Sequence, residues 1–359
     1  MTQRENQILN LIAANPMISQ QELADTLNIT RSSVAVHISN LLKKGFIAGK
    51  GYVLRTGAYA VVVGGVNVDI GGRSNAPLGA ADSNPGKVRS SLGGVGRNIA
   101  HNMSLLGLDV KILTAMGEDV YGDRIAKSCI ELDIDASRAL RVSDCATSTY
   151  LYIADEEGEM ALAVSDMEIC DRITPSYLSA NQQVLQNARV IVADTNIPTE
   201  SLVYLAENCT APIFCDPVST IKAEKLRPIL SKIHTLKPNR LEAELLSGVC
   251  IASKADAEKA AQALLEKGVK RVFLSMGGDG MYAATADEQL WMSNIPGDMV
   301  NTTGCGDSAT AALVWAWMND LSLEETVRAG LAAGSITMES AETINLAMSA
   351  TALKLRMSK

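Results

Sequence analysis

The segment Asn301–Asp307, Asn-Thr-Thr-Gly-Cys-Gly-Asp, has residue types that could act on an anion. Its glycines allow backbone amides to converge, and the apolar stretch SATAALVWAWM that follows predicts a helix whose positive end adds to them. Such a loop suits a phosphoryl group in transit, and Asp307 could accept a proton from an attacking hydroxyl. The alternative is an ordinary glycine turn in which Asp307 only caps the helix.

Three other stretches could complete such a site. SLGGVGRNIAHN places Gly93 and Gly94 before a predicted helix, and a close backbone approach there suits a bound polyol. In KPNRLEAE, Asn239 and Glu242 share one helical face, where a carboxylate can orient Mg²⁺ through water; the alternative is a solvated helix face. LSMGGDG ends a predicted strand in glycines that suit a nucleotide phosphate. The sequence contains neither a GxxxxGK[ST] P-loop nor the H-R-D set, which excludes the P-loop nucleotide-binding proteins and the protein kinases.

Apolar strands alternate with helical stretches over the residues that must position these motifs. Helices are predicted at 98–108 and 255–268, and the alternation indicates an α/β fold with a mostly parallel sheet. Active sites in such sheets lie beyond the carboxyl ends of the strands. The predicted strands are 59–70, 110–117, 188–194, 211–218, 233–239 and 270–278.

Two segments interrupt this alternation. Residues 70–92 carry little helical signal, and residues 147–166 indicate two strands around an Asp-Glu-Glu-Gly turn. Together they predict a small β lid over the site, which would keep water from competing with the phosphoryl acceptor.

Residues 1–56 are predicted to form a separate domain of three helices and a strand pair, resembling a winged helix-turn-helix. Ser19 and Glu22 form a predicted capping box, and Thr30 caps a third helix over residues 31–43 with Val34, Ile38, Leu41 and Leu42 inward. Residues 46–54 predict the two strands. In that arrangement the side chains expected to meet base edges or phosphates are Arg31, Ser32, Ser33, His37, Lys43, Lys44 and Lys50.

The charge distribution is consistent with DNA binding by residues 1–56, the head of the chain, and by no other part. Residues 1–55 hold six basic and three acidic residues, whereas the rest of the chain holds 26 and 37. The alternative is a small helical domain that mediates assembly.

Seven widely spaced cysteines disfavour a disulfide framework or zinc site. A polar N-terminus and apolar runs shorter than the roughly 18–20 residues of a membrane span predict a soluble cytoplasmic protein without membrane contacts.

The pairing of GGVGRN with TGCGDSATAAL resembles the PfkB, or ribokinase-like, family of carbohydrate and nucleoside kinases over about residues 58–350. The resemblance implies that residues 57–359 form a three-layer α/β/α sandwich with a small β lid at about 70–92 and 147–166. It also implies ATP and Mg²⁺ as cosubstrate and cofactor. Within the family, ADSNPGK, GGVGRNIAHN, TSTYL, IHTLKPNRLEAE and LSMGGDG are most similar to pseudouridine kinases.

Roles follow from this resemblance, residue by residue. Asp307 would be the base, and the amides of Gly304, Cys305 and Gly306 would form the anion hole. Glu242 would hold Mg²⁺ through water. The sugar would contact Asn67, Asp69, Gly93, Gly94 and Asn98, and the base edge Asn84, Lys87, Thr149 and Asp166. ATP would contact Asn239, Ser275, Gly277, Gly278, Gly280, Thr303 and Asn345.

Two residues of the loop depart from the family pattern. Cys305 stands where members usually carry a small Ala; because the backbone amide acts there, we expect activity to survive and oxidants to inhibit. Many members carry Asp six residues before the catalytic Asp, where it helps to hold a monovalent cation. That position is Asn301 here, so the requirement for K⁺ stays open.

The expected reaction is ATP-dependent phosphorylation of the 5′-hydroxyl of pseudouridine. The alternatives are a kinase for another nucleoside or sugar, and a transcriptional regulator whose kinase body senses a ligand. A lid sheet with an exposed edge also predicts a homodimer.

Overall fold

The computed structural model describes residues 2–16, 18–47 and 58–358, which form two compact units, Met1–Ala58 and Tyr59–Lys359. The described residues of the first unit form three helices: α1 (Gln3–Ala14), α2 (Gln20–Leu27) and α3 (Arg31–Lys43). The predicted caps are present: Ser19 and Glu22 bond reciprocally, and the Thr30 side chain accepts from the amide of Ser33. The core is made by Ile8, Ile12, Leu23, Val34, Ile38 and Leu41.

The structure corrects three expectations for this unit. Leu42, predicted to face inward, is 42% exposed. His37 is half-buried, and its Nδ1 has no hydrogen-bond partner among the described residues, so its ring is not presented freely on the surface of α3. Lys44 does not extend freely, because its Nζ lies 2.8 Å from each carboxylate oxygen of the buried Glu5. This ion pair and the amide of Thr2 lower the pKa of Glu5 to about 2.

Arg31, Ser32, Ser33 and Lys43 are exposed, as predicted. Lys50 and most of the predicted strand pair lie outside the described residues.

The second unit is built on a nine-stranded sheet with the order β15-β14-β13-β12-β11-β10-β1-β4-β6. All its pairs are parallel except β13–β14 and β14–β15. Its strands are β1 (Ala60–Val63), β4 (Val110–Leu113), β6 (Ile134–Asp135), β10 (Val190–Asp194), β11 (Ile213–Asp216), β12 (Ile233–Leu236), β13 (Arg271–Ser275), β14 (Met281–Thr285) and β15 (Gln289–Met292).

Helices cover both faces of this sheet. Val61 and Val63 of β1 pack into one core and Ala60 and Val62 into the other, as expected for a central strand buried on both faces. The helices are α4 (Val95–Leu105), α5 (Val120–Glu131), α6 (Pro175–Ala180), α7 (Gln182–Gln186), α8 (Thr199–Asn208), α9 (Thr220–Ala223), α10 (Arg240–Ser247), α11 (Lys254–Glu266), α12 (Cys305–Met318), α13 (Leu323–Thr337) and α14 (Ala350–Met357), with 3₁₀ turns at Glu168–Arg172, Glu224–Lys232 and Gly277–Asp279.

A separate four-stranded sheet forms the lid, with the order β3-β2-β8-β9. Its strands are β2 (Asn67–Ser74), β3 (Gly86–Gly93), β8 (Thr149–Ala154) and β9 (Met160–Asp166). A parallel pair, β5 (Ala115–Gly117) and β7 (Leu140–Val142), completes the strands of the described chain. The α/β sandwich with a small β lid predicted from the sequence is thus confirmed.

One predicted strand is wrong in extent, because residues 59–70 divide between the two sheets. The chain turns at Gly64 and Gly65, where the buried carboxylate of Asp194 accepts the amide of Gly65 at 2.9 Å and that of Asn196 at 2.8 Å. A β-carbon at Gly64 would lie 2.4 Å from Asp194 Oδ2. The turn therefore requires glycine, and it separates the central strand β1 from the lid strand β2.

Candidate active site

The parallel strands β11, β12 and β13 end at one edge of the large sheet and deliver polar residues to a common cleft. The cleft has a volume of about 570 Å³. Most residues predicted for catalysis, Mg²⁺ and ATP line it: Asn239, Glu242, Ser275, Gly277, Gly278, Gly280, Cys305, Gly306 and Asp307.

The glycine loop enters this cleft at the start of α12. Gly304 is the N-cap with φ +85°, and a β-carbon there would lie 2.2 Å from the carbonyl oxygen of Thr343, so glycine is required. The helix begins at Cys305, three residues earlier than predicted, which makes Asp307 its third residue rather than its cap. The amide of Cys305 donates to Thr302 at 3.3 Å. An anion is therefore better served by the amides of Gly306 and Asp307, which lack a carbonyl four residues earlier within the helix.

The carboxyl of Asp307 lies in an environment that opposes its ionisation. Burial, followed by the negative charge of Asp216, raises its pKa to about 7, although Asn98 and Lys237 act in the other direction. Asn98 Nδ2 donates to Asp307 Oδ2 at 2.8 Å and so orients the carboxyl. A carboxyl with this pKa is a competent proton acceptor near neutral pH.

Lys237 is a cation in this cleft that the sequence analysis missed. It is 6% exposed, and its Nζ lies 3.3 Å from Asp216 Oδ2. A β-carbon at Gly306 would lie 3.6 Å from the same Nζ, which places the ammonium beside the glycine loop. Burial lowers the pKa of Lys237, but Asp216, Glu242 and Asp307 outweigh burial and raise it overall. Lys237 therefore stays charged where a phosphoryl group would accumulate negative charge.

Asn239 and Glu242 form a capping box at the start of α10. The amide of Asn239 donates to Glu242 Oε2 at 2.9 Å, and the amide of Glu242 donates to Asn239 Oδ1 at 3.0 Å. No cluster of three or more His, Cys, Asp or Glu side chains that could hold a metal occurs among the described residues. The carboxylate of Glu242 fits Mg²⁺, because Mg²⁺ usually takes one or two protein carboxylates and completes its shell with water and substrate phosphates.

The glycines after β13 form an open turn beside Asn239, which bridges to Ser275. Asn294 Nδ2 holds this turn by donating to the carbonyl oxygens of Gly277 and Gly278 at 2.8 and 3.2 Å. Apart from their own chain neighbours, no atom of the described residues lies within 4 Å of the β-carbon positions of these two glycines, so a ligand can approach their backbone closely.

The predicted sugar residues gather where the lid meets α4. Asn67 Nδ2 donates to Asp69 Oδ1 at 2.7 Å, and a β-carbon at Gly93 would lie 2.2 Å from Asp69 Oδ2. Gly94 is the N-cap of α4 with φ +97°, and one turn later Asn98 reaches Asp307. The helix α4 therefore connects the lid base to the glycine loop.

The lid register separates the predicted base-edge residues. Directly paired residues share a face, and Asp69 pairs with Tyr150, whereas Thr149 pairs with Val68 and Asp166. Thr149 and Asp166 thus lie on the face opposite Asp69, which corrects their prediction. Asn84 is also displaced, because its side chain bonds to Gly79 within its own loop. Lys87 does lie on the Asp69 face, at the row of Arg73.

Two predicted ATP residues do not line the cleft. Asn345 Nδ2 donates to the carbonyl oxygen of Ile336 at 2.6 Å while its Oδ1 accepts the amide of Ala347, so its side chain is used internally. Thr303 is exposed beside the cleft.

The thiol of Cys305 donates a hydrogen bond to the carbonyl oxygen of Gly334. Burial, together with the charge of Asp307, raises the pKa of this thiol, so Cys305 is not an activated thiolate.

Comparison with known proteins agrees with this fold. The profile of the pfkB family carbohydrate kinases matches residues 58–350, and that of winged helix-turn-helix DNA-binding domains matches residues 1–48. The chain belongs to the pfkB family of carbohydrate kinases. It is therefore a phosphotransferase with an alcohol group as acceptor.

Two curated proteins and one solved structure are similar to most of this chain. The chain is 38% identical over 354 residues to an uncharacterized sugar kinase of Escherichia coli K12, YeiI, covering 98% of this chain and 97% of that protein. It is 40% identical over 294 residues to the pseudouridine kinase of Escherichia coli K12, covering 81% of this chain and 94% of that enzyme. A putative sugar kinase from Clostridium perfringens superposes with a TM-score of 0.77 at 31% identity, covering 84% of this chain and 96% of that structure.

The charges around Asp307 predict the pH dependence of ATP turnover. Because the base must be ionised, turnover should fall about tenfold per pH unit below about 7 and level off above it. Lys237→Met removes a charge that lowers the pKa of Asp307, so the inflection should move to higher pH. Asp216→Asn removes a charge that raises this pKa, so the inflection should move to lower pH. The measurement is kcat against pH for both variants.

The control for this pair is Asp287→Asn, an exposed carboxylate outside the cleft, whose profile should match the wild type. Shifts of Lys237→Met and Asp216→Asn in the same direction would contradict this electrostatic assignment.

Proposed function

We propose that this kinase transfers the γ-phosphoryl group of ATP to the 5′-hydroxyl of pseudouridine. Asp307 takes the proton of the 5′-hydroxyl, whose oxygen attacks the γ-phosphorus while the bond to the β-phosphate oxygen breaks and ADP leaves. Lys237 and the amides of Gly306 and Asp307 stabilise the charge on the transferred group. Mg²⁺, held by the nucleotide phosphates and through water by Glu242, would neutralise phosphate charge. The observation that carries the proposal is the position of the Asp307 carboxyl, which Asn98 holds at 2.8 Å in the cleft that Lys237 and the glycine loop also line.

Two findings favour a nucleoside over a simple sugar as acceptor. One is the 40% identity to a pseudouridine kinase over 94% of that enzyme. The other is the lid face that carries Asp69: Tyr150 and Tyr152 lie on it with ring centroids 6.1 Å apart, and Arg89 pairs with Gly71 in the row of Tyr152. A ribose held by Asp69 would place its attached base against these rings, and every base has a π-face to stack on them.

A substrate panel tests the acceptor. With the full chain, ATP and Mg²⁺, we expect the highest kcat/KM for pseudouridine, lower values for uridine and ribose, and a 5′-monophosphate product by phosphorus NMR. Asp307→Asn should lower kcat by about 10²–10⁴-fold, because the general base is lost, without changing the Kd of ATP. Asp287→Asn is the matched control. Preferential turnover of a sugar would favour the sugar-kinase alternative, and no turnover of any nucleoside would contradict the proposal.

The lid face makes a separate prediction about specificity. Tyr150→Ala should raise KM for pseudouridine by about 5- to 150-fold, the equivalent of about 1–3 kcal/mol of stacking, and leave KM for ribose unchanged. Thr149→Val, on the opposite lid face, is the neighbouring control and should change neither. Equal effects of the two substitutions would refute recognition of the base by this face.

We also propose that residues 1–56 form a DNA-binding domain. The support is the match of residues 1–48 to winged helix-turn-helix DNA-binding domains and the exposure of Arg31, Ser32, Ser33 and Lys43 on or beside α3. Homodimerisation would double the positive charge presented to DNA. The lid face opposite Asp69 exposes Val88, Leu162 and Val164 and could form such an interface.

Binding of the full chain to promoter DNA, followed by fluorescence anisotropy against salt, tests this second function. Arg31→Ala and Lys43→Ala should each weaken binding and reduce the salt slope by about 1, because each removes one phosphate contact. Lys127→Ala, an exposed lysine of the kinase unit, should leave binding unchanged. Unchanged binding in both head variants would remove the DNA role, and light scattering on the same samples measures whether the chain is a dimer.

A further inference from the structure

Asn301 attaches the glycine loop to residues 338–341, which follow α13. Its carboxamide makes two hydrogen bonds: Nδ2 donates to the carbonyl oxygen of Ala341 at 3.0 Å, and Oδ1 accepts the amide of Thr303 at 2.9 Å. The backbone amides of Val300 and Asn301 also donate to the carbonyl oxygen of Met338, at 2.8 and 3.1 Å. The segment that begins the loop is therefore held against residues 338–341 by side chain and backbone together.

The orientation of the carboxamide follows from its partners. One end meets a carbonyl oxygen, which can only accept, and the other meets a backbone amide, which can only donate. A flipped carboxamide would place oxygen against oxygen and hydrogen against hydrogen and would lose both bonds. The group facing Ala341 is therefore an N–H donor.

This arrangement does not fit the monovalent cation that an Asp at this position helps to hold in many members of the family. A cation binds to oxygen lone pairs, but the carbonyl of Ala341 faces an N–H group, and the side chain of Asn301 carries no charge. The neighbouring carboxylate of Glu339 is also committed, since both of its oxygens accept from Arg356 at 2.9 Å.

We infer that Asn301 is a positioning residue that replaces the monovalent cation, so that turnover does not depend on K⁺. The two hydrogen bonds of the Asn301 carboxamide hold residues 301–303 in the geometry from which Gly304 turns into α12. Because Gly304 packs directly on the carbonyl oxygen of Thr343, only glycine fits there. A cation would do the same by drawing carbonyl oxygens together, whereas Asn301 does it with one donor and one acceptor. This inference rests on the proposed role of the Asp307 loop.

The test compares the wild-type full chain with Asn301→Asp in tetramethylammonium chloride and in KCl at constant ionic strength. Wild-type kcat and KM for ATP should be the same in both salts. Asn301→Asp loses the donor to Ala341 and places a carboxylate against a carbonyl oxygen, so in tetramethylammonium its kcat should fall about tenfold or more. K⁺ should restore much of this loss, because the new carboxylate supplies the oxygen ligands that a cation needs.

Thermal melting supplies a readout that requires no turnover. K⁺ should raise the Tm of Asn301→Asp and leave that of the wild type unchanged. Asn208→Asp is the matched control, since Asn208 Nδ2 also donates to a carbonyl oxygen, that of Tyr204, but on α8. It should respond to K⁺ in neither assay.

Two results would overturn the inference: K⁺ stimulation of the wild type, or an Asn301→Asp protein that ignores K⁺ in both turnover and melting. Stimulation of a wild type that phosphorylates pseudouridine would reject cation replacement and leave the proposed function standing. If no substrate is turned over, the proposed function fails, and the melting comparison alone decides the role of Asn301.

Discussion

The kinase unit depends on placing several carboxylates in one cleft around the buried ammonium group of Lys237. Asp216, Glu242 and Asp307 all influence Lys237, and Asp216 is held in place by Thr310 as well as by the lysine. Burial, followed by the negative charge of Asp216, raises the pKa of Asp307 to about 7, where the carboxyl can exchange a proton near neutral pH. The parallel strands make this arrangement possible, because their carboxyl ends bring residues distant in sequence to one edge.

The charges in this cleft also fix the state of Lys237, while α4 orients Asp307. Lys237 remains charged because the carboxylates surround it, and it lies beside Gly306, where backbone amides also converge. Asn98 orients Asp307 from α4, the helix that starts at the predicted sugar residues Gly93 and Gly94. The residues predicted to hold the sugar are thus linked to Asp307 through α4 and the side chain of Asn98.

Local patterns predicted much of this structure, because they report on neighbours in the chain. The capping box at Ser19, the helix at 31–43, the mostly parallel sheet and the gathering of Asn239, Ser275 and Asp307 follow from periodicity, caps and family resemblance. Long-range contacts were not predictable in this way. Asp194 divides residues 59–70 between two sheets, and Glu5 binds Lys44 from 39 positions away. The face occupied by Thr149 depends on strand register, where a shift of one residue exchanges the faces.

Burial among carboxylates should make Asp307 a proton acceptor at neutral pH. The most direct measurement is the titration of its carboxyl by ¹³C NMR in the ligand-free full chain, with the signal assigned by its absence in Asp307→Asn. We expect a midpoint at about 7. A midpoint near the ordinary value of about 3.9 for aspartate would contradict it.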